Sequence, residues 1–187
     1  MHQGLDRKIG VNVEQLVKHD VCSGTKLKIP RDWKKLLQYI SWGKSNQGWV
    51  KLNVDEASKH NLGRASVGRL IRNEYGQWIV GFITNLGHAS NVAAGLWAIL
   101  MGLRIAWNSG YRKIVIESKS KVVVSLLESA LKESLHWNII VEIRDMLCWN
   151  WDCSLEHIWR EGNRCADHLA KFRRCLDYGL TMFGNPP

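Results

Sequence analysis

The chain has 187 residues, of which 45% are hydrophobic and 23% are charged. This length suits one domain of ordinary size, and the composition excludes a disordered chain, a collagen-like repeat and a coiled-coil rod. Residues 89–103, the uncharged stretch between His88 and Arg104, are fewer than the roughly 20 apolar residues of a membrane-spanning helix. The first residues, MHQGLDRKIG, lack the apolar run of a secretory signal peptide. We therefore expect no membrane segment and no secretion, and a location in the cytoplasm or nucleus.

The net charge is +9, from 26 Lys and Arg against 17 Asp and Glu. Residues 1–47 hold nine of the basic and four of the acidic residues, a net charge of +5, which leaves +4 for the rest of the chain. A basic chain is attracted to nucleic acid or to another acidic surface. Because Gly, Ser and Asn at 43–48 are typical of a linker, we expect a basic N-terminal appendage and linker (1–47), a domain (48–175) and a C-terminal tail (176–187).

Three strands are predicted at the start of the domain. The run WVKLNVDEAS, which begins at Trp49, alternates apolar and polar residues, as does a strand with one buried and one solvated face. Its polar face carries Lys51, Asn53 and Asp55. Two further strands are predicted at 65–72 and 77–84, with a tight turn that contains Gly76 between them. Connections this short favour an antiparallel meander.

The hydrophobic period then changes to that of a helix. A long amphipathic helix is predicted between a cap at Ser90 or Asn91 and a stop at Gly110. The sequence then predicts, in order, a strand at 113–118, helices at 121–131 and 137–147, a strand at 153–159 and a helix from 163 to about 174. Strands four and five follow helical crossovers, so they should lie parallel to strand one. The expected fold class is α/β, with a five-stranded mixed sheet of three antiparallel and then two parallel strands, and helices on its faces.

Ten tryptophans are spread over the sequence. Those within periodic segments are expected to lie in the core rather than to stack on a ligand. They are Trp78, Trp97, Trp107, Trp137 and Trp159.

Four separated motifs carry the functional information. They are WVKLNVDEAS at 49–58, AGLWA at 94–98, VIESKS at 115–120 and REGNRCADHLA at 160–170. In this order and spacing they resemble a ribonuclease H type 1 domain, in the form found in plant proteins related to retroelement reverse transcriptases. The resemblance covers about two thirds of the chain. It implies the ribonuclease H-like fold and endonucleolytic hydrolysis of the RNA strand of RNA/DNA hybrids, with Mg²⁺ or Mn²⁺ as the cofactor.

Such a family needs four carboxylates, because two divalent ions with hard oxygen ligands must hold the scissile phosphate. By resemblance, the four positions are occupied here by Asp55, Gly95, Lys119 and Asp167. Asp55 and Asp167 survive as candidate catalytic residues and metal ligands, whereas Gly95 and Lys119 stand where the family has carboxylates. A lysine a few ångströms away opposes a metal ion about as strongly as one aspartate attracts it. We therefore expect poor metal binding and weak or absent cleavage.

Nearby residues are not expected to restore the site. Glu117 lies on the same strand face as Lys119, but two residues along a strand displace a side chain by about 6.6 Å, too far for a ligand of the same ion. Glu56 should point to the other face of the sheet. His157 and His168 are assigned to structure.

Lys119 itself is expected to lie between Asp55 and Asp167, where its ammonium group would neutralise two carboxylates that otherwise repel each other.

Three functions remain open. The first is a degenerate ribonuclease H-like domain that binds nucleic acid, either an RNA/DNA hybrid or RNA, weakly and with strong salt dependence. The second is an active hybrid ribonuclease with an atypical site, and the third is a non-catalytic scaffold for protein interactions.

Overall fold

The computed structural model describes residues 45–58, 64–129, 134–159, 163–171 and 179–186. The basic appendage lies almost entirely outside these ranges. Six strands form one sheet: β1 (Val50–Ser58), β2 (Arg64–Arg72), β3 (Trp78–His88), β4 (Lys113–Ser118), β5 (Asp152–His157) and β6 (Gly179–Phe183). Their order across the sheet is β5-β4-β1-β2-β3-β6. The neighbours β5, β4 and β1 are parallel and the other neighbours are antiparallel, so the predicted meander and the two parallel strands are confirmed.

Four helices are described between or after the strands: α1 (Asn91–Asn108), α2 (Lys121–Glu128), α3 (Trp137–Leu147) and α4 (Arg164–Lys171). Ser90 caps α1, because its hydroxyl accepts a hydrogen bond from Ala93 N at 3.1 Å. Gly110, with φ +84°, follows the end of this helix as predicted. The predicted continuations of α2 to residue 131 and of α4 to about residue 174 lie outside the described residues.

The sixth strand corrects the expected strand number of five. β6 comes from the segment predicted as a tail and pairs with β3, which extends to His88 rather than ending at Thr84. An uncovered edge strand exposes a row of backbone N–H and C=O groups. β6 satisfies such groups on β3, but its five residues carry too little alternation to predict a strand from sequence.

The sheet is packed on both faces. The main core lies between the sheet and α1, α2 and α3, and it includes the apolar side chains Val50, Leu52 and Val54 of β1. A smaller core lies beneath α4; its buried members are Leu70, Ile83, Cys165, Ala166 and Leu169. The helices therefore flank the sheet as expected.

The second core overturns the expectation that β1 has one solvated face. Lys51, Asn53 and Asp55 lie on the side of β1 that faces α4, and they are 8%, 1% and 0% exposed. The polar face of a strand is exposed to solvent only when no other element packs on it. Here α4 covers it, so the polar residues must find partners inside the protein.

At Gly68 of β2, the backbone of α4 approaches the sheet closely. A Cβ built at Gly68 would lie 2.3 Å from Ala170 N and 2.4 Å from Ala166 O, both backbone atoms of α4. Ser66, on the same strand face, donates its hydroxyl to Ala170 O at 2.6 Å. Because Gly68 is the cross-strand partner of Asp55, this contact brings α4 directly over Asp55.

Two expectations about membranes and tryptophans are also tested by the structure. Within the described ranges no helix has the length and apolar character needed to cross a membrane. The expectation of a core position is wrong for Trp159 and Trp97, which are 71% and 37% exposed. Trp78 and Trp137 are partly buried against the two cores.

Candidate active site

The candidate site lies where the parallel strands β1 and β4 end. Val54 and Ser118 are the last paired residues of the two strands, so Asp55 and Lys119 follow side by side. The Lys119 ammonium group forms an ion pair with Oδ1 of Asp55. The same ammonium donates to the backbone oxygen of Glu56 at 3.4 Å. The register of β1 and β4 therefore places the Lys119 ammonium group beside Asp55, as the sequence predicted.

Asp55 is buried and poorly solvated. Its side chain is 0% exposed, and apart from the ion pair with Lys119 no hydrogen-bond donor of the described residues reaches either carboxylate oxygen. Burial raises the pKa of Asp55 to about 7 from its ordinary value of 3.8. Lys119 opposes this rise in the pKa, and the negative charges of Glu56 and Asp167 add to it. The carboxylate thus depends on one lysine for the stability of its charged form.

Asp167 reaches the same place from α4. Its Oδ1 lies 3.9 Å from the Lys119 ammonium nitrogen, and its other oxygen pairs with Lys171 one helical turn away. Asn163, just before the helix, donates its side-chain amide to Val54 O at 2.7 Å and so ties the start of α4 to β1. We name the group of Asp55, Lys119 and Asp167 the Asp55 cluster.

Gly95 does not leave an open space at the second family position. A Cβ built there would lie 2.8 Å from Cγ2 of Val123, a buried residue of α2. Because Val123 is β-branched, it cannot turn aside cheaply. The same Cβ would lie 3.9 Å from a carboxylate oxygen of Glu56, which reaches the α1 side of the sheet as expected. Gly95 therefore supplies no carboxylate, and the packing of Val123 leaves no room there for a larger side chain.

A second polar group was missed in the sequence. Glu117 is 5% exposed and accepts hydrogen bonds from Lys51 at 2.6 Å, Asn53 at 2.6 Å and Arg72 at 2.7 Å. Arg72 also donates to Asn53 Oδ1 at 2.9 Å. Burial lowers the pKa of Arg72 to about 10, and Glu117 limits that decrease. We name Glu117, Lys51, Arg72 and Asn53 the Glu117 cluster.

The contacts of Glu117 agree with the expectation that it does not replace a missing metal ligand. Glu117 pairs across the sheet with Asn53, one step before Asp55 on the same strand face, and both of its oxygens are held by protein donors. Its carboxylate is thus committed to Lys51 and Arg72. The strand register could have revealed this cluster, since Lys51 is the cross-strand partner of Arg72.

Of the two histidines, His157 touches the site only through the backbone. Its Nε2 lies 3.1 Å from Lys119 O, so it supports the segment that carries Lys119. His168 lies on α4, one residue after Asp167. These positions agree with the structural assignment of His157.

The described residues do not fit a divalent metal ion. They contain no group of three or more His, Cys, Asp or Glu side chains placed to hold one. At the Asp55 cluster, an ammonium group lies against the carboxylates that would act as ligands. Mg²⁺ and Mn²⁺ need several hard oxygen ligands, and a fixed cation at this position repels them.

Comparison with known proteins identifies the domain. A family model described as reverse transcriptase-like matches residues 53–173, which run from within β1 to the end of α4 and include Asp55, Gly95, Lys119 and Asp167. The chain belongs to this family of ribonuclease H-like domains.

A curated plant protein is similar to this ribonuclease H-like domain. An Arabidopsis thaliana protein with the curated name "Putative ribonuclease H protein" is 35% identical over 149 residues, which make up 79% of this chain and 24% of that protein. The chain thus spans about a quarter of this relative's length.

Solved structures confirm the fold. Ribonuclease H1 of Halobacterium salinarum has a TM-score of 0.61 and 28% identity, over 66% of this chain and 95% of that one. LC11 ribonuclease H1, crystallised in complex with an RNA/DNA hybrid, has a TM-score of 0.60 and 21% identity, over 65% of this chain and 94% of that one. The predicted ribonuclease H-like fold is correct.

Proposed function

We propose that the chain is a nucleic-acid-binding ribonuclease H-like domain in which metal-dependent hydrolysis of the RNA strand is weak or absent. The observation that carries the proposal is the position of the Lys119 ammonium group between Asp55 and Asp167. The ribonuclease H family uses divalent ions to activate water and to stabilise the leaving oxygen. A protonated lysine offsets part of the charge of the two remaining carboxylates but supplies neither of these actions.

The filled space at Gly95 supports the same proposal. Val123 packs where the side chain of a glutamate at position 95 would begin. The close packing of α1 against α2 therefore requires a residue without a side chain at this position. If the surrounding residues had not repacked, Gly95→Glu would fit the site without further change. Here Gly95→Glu also requires a smaller residue at position 123.

The proposed ligand is an RNA/DNA hybrid or RNA, bound weakly. Support comes from the net charge of +9 and from the hybrid bound to LC11 ribonuclease H1. Lys and Arg contacts to phosphate release counterions, so affinity should fall steeply between about 50 and 200 mM salt. The Arabidopsis thaliana relative and the reverse transcriptase-like family agree with an origin in a plant retroelement, which we propose as well.

One observation favours an active ribonuclease with an atypical site. Glu56 places a carboxylate oxygen 3.9 Å from the Cβ position at Gly95, so it brings negative charge to the region of the missing ligand. Lys119 argues against this candidate, because it occupies the space between the other two carboxylates.

A hybrid cleavage assay with Mg²⁺ or Mn²⁺ tests the proposal. Wild type should show little or no cleavage, and the triple variant Gly95→Glu/Lys119→Asp/Val123→Ala should cleave more. Addition of Asp55→Asn to the triple variant is the matched control and should remove the gained activity. Strong wild-type cleavage that Asp55→Asn abolishes would establish the active enzyme instead. Failure to bind any hybrid or RNA at low salt would favour the protein-interaction scaffold.

A further inference from the structure

Trp159 is an exposed aromatic residue held in place at the rim of the Asp55 cluster. It is 71% exposed, whereas Trp107 packs edge-to-face against Trp149 and Trp151. The Lys121 ammonium nitrogen lies 4.9 Å from the centre of the Trp159 ring. Trp159 is therefore not a core residue. Its exposed ring, which lies beside a cation, is available to stack on a planar group of a bound molecule.

The backbone fixes Trp159 close to Lys119. Ile158 N donates to Ser118 O at 2.9 Å, which continues the pairing of β5 with β4. His157 lies 3.1 Å from Lys119 O and packs edge-on to Trp159, with 5.7 Å between ring centres. Lys121, which contacts the ring from the other chain segment, is only two residues from Lys119. Trp159 and Lys121 therefore border the site on the side of β5.

We propose that Trp159 and Lys121 form a stacking platform for an unpaired base of a single nucleic-acid strand. The proposal rests on the proposed nucleic-acid binding and specifies its preferred ligand. Stacking on an aromatic side chain needs a free base face, and bases inside a duplex have none. Lys121, whose ammonium group lies against the ring, supplies positive charge for the neighbouring phosphate.

The platform predicts a particular loss of affinity. Base–aromatic stacking contributes about 1–3 kcal/mol per base, so Trp159→Ala should weaken binding of a single-stranded oligonucleotide by roughly tenfold. Trp159→Phe should keep most of the affinity because it keeps a ring. Tyr75, in the turn between β2 and β3, is 76% exposed, so Tyr75→Ala is a matched control that should bind as wild type does.

The experiment is a fluorescence-anisotropy titration of the full chain with a labelled single-stranded oligonucleotide and with an abasic strand of the same length. Trp159→Ala should lose affinity for the first strand and not for the second, because only the first offers a base. Equal losses for both strands would assign Trp159 a structural role and overturn the platform. Unchanged binding in Trp159→Ala would also overturn it, while the proposed function would stand. If wild type binds neither these strands nor a hybrid, both proposals fail.

Discussion

The Asp55 cluster and the Glu117 cluster lie on the same face of the sheet, yet they satisfy their charges differently. In the Glu117 cluster one carboxylate faces two cations, and it accepts three hydrogen bonds of 2.6–2.7 Å. In the Asp55 cluster Lys119 faces two carboxylates; Asp167 also pairs with the exposed Lys171, but Asp55 has no second donor among the described residues. The first is a completed polar network, whereas in the second Asp55 depends on a single donor.

Under the proposed function, this difference separates a structural network from a remnant of a metal-binding site. A buried charge network that serves stability has its hydrogen bonds made within the protein. Carboxylates that once shared divalent ions would lack protein donors, because the ions filled that role. Burial raises the pKa of Asp55 to about 7, and Lys119 opposes that rise.

The largest expected effect is on the Glu117 cluster. Glu117→Gln leaves the buried Lys51 and Arg72 without a counter-ion, which should lower the free energy of unfolding by about 3–5 kcal/mol. Urea denaturation followed by circular dichroism measures it. Glu142 pairs with Arg104 on the surface, so Glu142→Gln is the matched control, with a loss of at most about 1 kcal/mol. Equal losses in the two variants would contradict the structural role of the Glu117 cluster.

The next effect concerns the helix that covers both clusters. Gly68→Ala places a methyl group against the backbone of α4, so the helix must move away from β2. We expect a loss of about 1–3 kcal/mol or more in the free energy of unfolding. Gly184 has no atom within 4 Å of its Cβ position, and Gly184→Ala should be nearly neutral in the same denaturation experiment. A stable Gly68→Ala would mean that α4 does not pack as closely as described.

A smaller, pH-dependent effect belongs to Lys119. The native pKa of Asp55 is raised from 3.8 to about 7, so the stability that this group contributes is present below about pH 4 and lost as the pH rises through about 7. Without Lys119 the pKa of Asp55 rises further, and the loss extends to higher pH. Lys119→Ala should therefore cost about 1–3 kcal/mol more at pH 8 than at pH 5.

Unfolding free energies of wild type and Lys119→Ala at the two pH values check this expectation. Lys171→Ala is the matched control, because Lys171 pairs with Asp167 and not with Asp55. A cost of Lys119→Ala that is the same at both pH values would show that Asp55 does not titrate in this range.

The sequence predicted the elements well and the burial of the site poorly. The boundaries of β4 and α3 were predicted to the residue, because their hydrophobic periods are clear and they are closed by polar residues. The side-by-side placement of Asp55 and Lys119 followed from parallel strand pairing. The burial of Lys51 and Asn53 could not be predicted from alternation, because a polar strand face has the same pattern whether water or a helix covers it.

Two further features depend on contacts between distant parts of the chain. The clash of a side chain at Gly95 with Val123 depends on how α2 packs against α1, which no local pattern encodes. Gly68 could be read only as a strand glycine, although such glycines often mark the close approach of another backbone. The structure shows that Gly68 is needed because the backbone of α4 packs directly against it.

The central claim is that the Lys119 ammonium group takes the place of a metal ion, and thermal melting with and without Mg²⁺ tests it most directly. An ion stabilises a folded state only if it binds that state. Replacement of chelator by Mg²⁺ should leave the melting temperature of wild type unchanged and should recover part of the stability lost in Lys119→Ala. Stabilisation of wild type by Mg²⁺ as large as that of Lys119→Ala would contradict the claim.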